Sequence, residues 1–496
     1  MLSPDLKVAV RSAAELFHRS RRLREHLERI GPGESGEHAR LVETMRRALE
    51  DIEDTMMGNF ALLWEVLPQE QRATMTSPGP EEDTPLAEVF NGLLLTLNHF
   101  SLRFVTIHES LVYLPWQSVE PELVFSLEGC FPEFCKRYQP SIVMGSLFNA
   151  FEFDFIKILK QKLADIAEVF SGDERNFVLM FAICDGLSPL ACAILAHEVG
   201  HALDAEHDIS RTVANESVFA SNSLPSGTLL NWCREICADL IAAQMVGPSP
   251  ILSLLSMEYC LYPSQNICQH GASHPSTRAR LRILADDPAQ STATAPLPSE
   301  LEVYENAWRL NLASVFPNDT ERQEEEQKHD LQMENLHFRM ARHLREKLSS
   351  LGEALPRACF ENDSLERCKK RLRLGSPVSA QGDDPKLLVE KVKEHIRNWP
   401  EPSEARCDAF KNLCDEFRET PVKVPNILLS GYRRRWGIIE ELYDKPEPLA
   451  NAASVKWLCD SMAGLDRLIG SSIVTTCVHK EVLRRLETNR RRKKGA

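Results

Sequence analysis

The chain has 496 residues, too many for one compact core, so two or three domains are expected. Hydrophobic residues make up 43% and charged residues 26%, the balance of a globular chain rather than a disordered one. The formal charge of −14, from 58 basic and 72 acidic residues, argues against a protein that coats nucleic acid, and nucleic acid is not an expected partner.

Taken in chain order, the pattern begins with helices. Leu16, Leu23, Leu27 and Ile30 recur at helical spacing until Gly31-Pro32-Gly33 breaks the run. Leu41, Met45, Leu49, Ile52 and Met56 form the apolar stripe of a second helix. Thr76 to Pro85 reads as a loop, and Leu86 to Val112 resumes a helical pattern. This part carries no catalytic constellation and reads as a helical scaffold or regulatory bundle.

From about Cys130 the character changes. Asn149 to Phe155 and Phe177 to Cys184 suit strands, with a helix expected between them over Ile156 to Phe170. The strand at Phe177 to Cys184 is either a substrate-receiving edge or a central strand. Ser188-Pro189 is a helix start signal, serine as N-cap and proline in the first turn, and the helix runs on through LACAILAHEVGHALDAEHD. Asp286 to Glu300, rich in Pro, Ala, Ser and Thr, marks a domain boundary. Helical pattern then returns with a charged run at Glu321 to Asp330, and a second break falls at Gly375 to Pro385.

The N-terminal stretch has charges scattered through it and no apolar core of a secretory signal. Fourteen cysteines without a C-x-x-C fit free thiols in a reducing cytoplasm. The most apolar stretch, Phe177 to Leu195, is interrupted by Asp185, Gly186 and Pro189, so no membrane span is expected. Two basic clusters, Arg433 to Trp436 and Arg490 to Lys494, read as solvated helix ends and a disordered tail.

His197-Glu198-Val199-Gly200-His201 is an H-E-x-x-H pattern. Histidines four apart lie on one helix face, so both rings can reach one ion, and Glu198 is placed to act on a metal-activated water. The preceding turn, ACAILA, is wholly apolar, which buries the helix and makes unpaired polar groups there costly. Two candidates compete for the third ligand. Glu235 stands on a second helix with Asp239 four residues on, able to orient a histidine from behind. His207 matches the metzincin spacing except that Asp204 replaces the turn-forming glycine, and Ser256 to Tyr259 mimics a metzincin methionine turn.

H-E-V-G-H, then E-I-C-A-D-L, then H-P-S-T-R-A-R-L (His274 to Leu281) resembles the gluzincin metallopeptidases. Within them it is most similar to the family of CAAX prenyl endopeptidases and bacterial stress-response metalloproteases, here without membrane helices. Phe148 to Phe151 is similar to that family's N-A-F strand, and the resemblance covers roughly Ser141 to Leu284. It implies Zn2+ held by His197, His201 and Glu235, Glu198 as general base, and Asp239 behind the ligands. It further implies that His274 stabilises the oxyanion within a network that includes Arg280; Tyr259, Tyr262 and His270 are other candidate donors.

The expected fold class is α+β, mostly helical, with a zincin-like catalytic domain containing a small sheet at 126–285. Helical domains are expected at 1–125 and 300–496. The expected function is zinc-dependent endoproteolysis of a protein or peptide substrate, with a regulatory protein partner addressed through the helical flanks. A catalytically silent zincin-fold module and a hydrolase of non-peptide amides are the rival readings.

Overall fold

The structure, a computed structural model, describes residues 2–30, 36–75, 84–110, 130, 134–135, 141–145, 149–153, 176–182, 188–219, 224–261, 271–285, 320–351 and 424–495. Helix α1 (Pro4–Ile30) buries Leu16, Leu23 and Leu27 completely and ends just before Gly31. Helix α2 (Glu37–Val66) buries the stripe Met45, Leu49, Ile52 and Met56, while Leu41 at its start stays exposed. Helix α3 (Pro85–Ser110) buries Leu93, Leu97, Phe100 and Phe104, the spacing of one helix face. Phe17 meets Phe100 edge to face, with ring centroids 5.7 Å apart, where α1 crosses α3.

The site-bearing helices follow: α4 (Cys192–His207), α5 (Ile209–Ala214), α6 (Ser226–Val246), α7 (Ser249–Leu261) and α8 (Thr277–Ala285). Helices α9 (Thr320–Leu351), α10 (Val424–Tyr443) and α11 (Ala452–Gly495) complete the described elements. One continuous apolar core runs through them, from Leu2 on the N-terminal side to Ile473 in α11.

The expected α+β class is overturned. Helices account for most of the described residues, so the fold class is helical. Three short segments, β1 (Ser141–Gly145), β2 (Asn149–Phe153) and β3 (Asn176–Ala182), pair in the order β1-β3-β2. β1 is parallel to β3 and β2 antiparallel to it. The segment around Phe177 is thus central in this pairing, and β2 is an edge. Alternating apolar residues led to the expectation of a class-defining sheet. The core is built otherwise, because α4 and α6 are apolar on most faces and bury those faces against other helices. The expected helix at 156–170, the breaks at 286–300 and 375–385, and Tyr262 and His270 lie outside the described residues.

The helices at the two ends of the chain meet over the head of α4. Ser188 accepts a hydrogen bond from the Leu190 amide at 3.4 Å and donates from Oγ to Asp466 Oδ1 at 2.8 Å. Tyr432 donates to the Leu190 carbonyl at 3.0 Å. Burial opposes charge on Asp466, but Arg22 and His18 beside it hold its carboxyl at about 2. Arg435 forms a buried ion pair with Glu15, and Arg11 lies over the Trp436 ring at 3.2 Å from its centroid. The basic cluster at 433–436 is therefore partly interior rather than a solvated helix end. The tail cluster at 490–494 continues α11 as helical backbone, where disorder was expected.

Candidate metal centre

Helix α4 presents His197 and His201 one turn apart, their rings 4.6 Å between centroids and 82° between planes. Gly200, inside the motif, faces α6: a Cβ there would stand 2.6 Å from the Ala238 carbonyl oxygen and 2.8 Å from its Cα. The missing side chain lets the two helices approach closely enough for Glu235 and Asp239, on either side of Ala238, to reach the histidines. Gly200→Ala should force the helices apart, because the obstructing atoms are backbone and cannot swing away. The expected loss is about 1–3 kcal/mol of stability, with weakened metal binding. A calorimetric Tm equal to wild type would show that this contact is not tight.

The carboxylate of Glu235 faces both rings. Its Oε1 lies 3.3 Å from His201 Nε2, and its Oε2 lies 3.3 Å from His197 Nε2. Four-coordinate zinc with bonds of about 2.0–2.1 Å places its ligand atoms about 3.3–3.4 Å apart. Glu235 Oε2 is buried and accepts no hydrogen bond among the described residues. These three side chains offer ligand atoms that all lie within 4.8 Å of one another, so the group fits a metal ion. Burial opposes the charge on Glu235, but His197, His201 and Arg280 outweigh it and hold the carboxyl well below the usual range.

Behind the ligands, His197 Nδ1 lies 2.8 Å from Asp239 Oδ1. That contact leaves Nε2 turned toward Glu235, the arrangement that fixes a ligating imidazole. Arg280 holds Asp239 with two bonds, Nε to Oδ2 at 2.7 Å and Nη2 to Oδ1 at 2.8 Å. Burial works against the Asp239 charge, yet Arg280 and then His197 keep it at about 2. Burial likewise disfavours the His197 cation, but Asp239 and Glu235 raise the ring to about 9. Arg280 is itself nearly buried among these carboxylates, with Nη1 3.6 Å from Glu235 Oε2.

His274 sits in the turn before α8, mostly exposed, with Nε2 3.5 Å from Glu235 Oε1. Glu198 is half-buried and has no ion-pair or hydrogen-bond partner among the described residues. His207 is not in the metal-capable group. α4 continues to His207 and turns only at Asp208, whose φ of 51° is left-handed. Asp204, where a metzincin has glycine, stays within α4 and accepts the amide of Ser210 in the first turn of α5 at 2.8 Å. Ser256 to Tyr259 is helical, part of α7, and not a turn. Nearby cysteines pack as apolar groups; burial pushes the Cys233 thiol up to about 12.

Sequence reasoning missed Trp232, whose indole donates to the Gly271 carbonyl at 2.8 Å and steadies the turn that carries His274. A tryptophan three residues before Glu235 gives no signal of such a role. Among the described residues no helix is long and apolar enough to cross a membrane. No family model, curated protein or solved structure matches this chain.

Proposed function

We propose that this protein is a zinc-dependent endopeptidase of gluzincin type. The observation that carries the reading is Glu235, set 3.3 Å from the Nε2 atoms of both His197 and His201. Two imidazoles and one carboxylate are a donor set that favours zinc in a catalytic site with an open position. Zinc bound there would supply Lewis acidity, polarising a scissile carbonyl and activating water.

The chain's own residues divide the remaining work. Glu198 takes the proton of the attacking water and delivers it to the leaving amine, for which an unpaired, half-exposed carboxylate is suited. His274, exposed beside Glu235, donates to the oxyanion as charge develops. Asp239 and Arg280 hold His197 in the tautomer that directs Nε2 forward. The succession of H-E-V-G-H, E-I-C-A-D-L and H-P-S-T-R-A-R-L elements supports the gluzincin assignment and a protein or peptide substrate. Free thiols support a cytoplasmic location.

Purified protein should hold about one zinc per chain. Comparison of new protein N-termini in cells expressing wild type or Glu198→Gln should reveal sites cut only by wild type. Metal-loaded protein that creates none would favour a silent binding module. Cleavage confined to small non-peptide amides would move the reaction to another hydrolase class.

A further inference from the structure

Helix α8 has nine residues, too few to be stable alone, so its orientation depends on what grips it. Three of those residues are arginines at alternate positions, and they are used in opposite directions. Arg280 faces α6 and binds Asp239. Arg278 and Arg282, four apart and on the other face, both meet Glu334 of α9, at 3.5 Å and 2.7 Å. Glu334 is almost fully buried, its side chain only 6% exposed, so this pairing is interior rather than a surface ion pair.

A second contact from α9 grips the far end of α8. Arg345 donates to the Ile283 carbonyl at 2.6 Å, one of the last-turn carbonyls that no helical amide can satisfy. Glu334 and Arg345 are eleven residues apart, on one face of α9 and separated by about 16 Å, close to the roughly 13 Å length of α8. The N-terminal end is held within the chain itself, where Ser276 accepts the Ala279 amide at 3.3 Å. α8 is thus clamped along its back by α9 while its front supplies Arg280 to the metal centre.

We propose that Glu334 is a positioning residue for the metal centre, fixing α8 so that Arg280 meets Asp239 and Glu235. The inference rests on reading His197, His201 and Glu235 as a metal site. It assigns a role in that site to a residue on α9, well beyond the motif-bearing helices in sequence. Glu334 acts through Arg280; it touches neither metal ligand nor substrate.

The test is zinc affinity of the full-length chain, measured by competition with a chromophoric chelator. Glu334→Ala should bind zinc about 10–100-fold more weakly than wild type, with wild-type helicity by circular dichroism. If the alanine variant fails to fold, Glu334→Gln serves, since it keeps the volume and removes the charge. The same substitution should lose little further affinity in an Arg280→Lys background, because the path to the site is already weakened there. Unchanged affinity in a folded Glu334 variant overturns the proposal, as does an equal loss in both backgrounds. A wild-type chain that binds no zinc overturns the metal-site reading beneath it, and the wild-type arm identifies that failure separately.

Discussion

Replacing Glu198 by glutamine should leave zinc bound and slow peptide cleavage at least about a hundredfold. Glu198 follows His197 on α4 but is absent from the ligand group, so its charge is not needed to hold the ion. Glutamine preserves length and shape and removes only the ability to accept a proton. The measurement is a pair: zinc content of the purified variant, and turnover of a peptide cut by wild type. Wild-type turnover in the zinc-loaded variant would remove Glu198 from the mechanism. Loss of zinc along with activity would instead make Glu198 part of the metal site.

The other large effect concerns the third ligand. Glu235→Ala should weaken zinc binding well beyond the roughly 10–100-fold typical of residues that only support ligands. His207→Ala should leave zinc affinity unchanged. Glu235 reaches both histidine Nε2 atoms, whereas His207 lies at the end of α4, beyond the point where a metzincin chain would already have turned back. Chelator competition on both variants decides between them. A greater loss from His207→Ala would transfer the ligand role and withdraw the functions given to His274 and Arg280.

Much of the centre was readable because its logic is local. Histidines at i and i+4 share a face in any helix, and Glu235 and Asp239 repeat that spacing on the partner helix. Asp204 foretold that α4 would run past His201, since a residue other than glycine turns less readily there. The packing of distant segments was not readable. Glu334 lies just beyond the charged run at 321–330, and nothing around it marks it out, because its role comes only from lying against α8. Arg435 and Trp436 resembled a solvated basic cluster, but α1 covers them with Glu15 and Arg11. The fold class was misjudged for a related reason. Short alternating segments are visible in sequence, whereas the dominance of helix-on-helix burial emerges only from assembly.

The hydrogen bond between Ser188 and Asp466 also sets an order of events during synthesis. Its partners are 278 positions apart, and Ser188 is made first. At roughly 5–20 residues per second, the ribosome adds Asp466 about 14–56 s after Ser188. For most of that interval the nascent chain carries HEVGH and Glu235 without α10 and α11, which pin the head of α4. The residues of the candidate metal centre are therefore translated well before the Ser188–Asp466 bond can close. A chain interrupted before α11 would carry His197, His201 and Glu235 yet lack the bond from Asp466 to the head of α4.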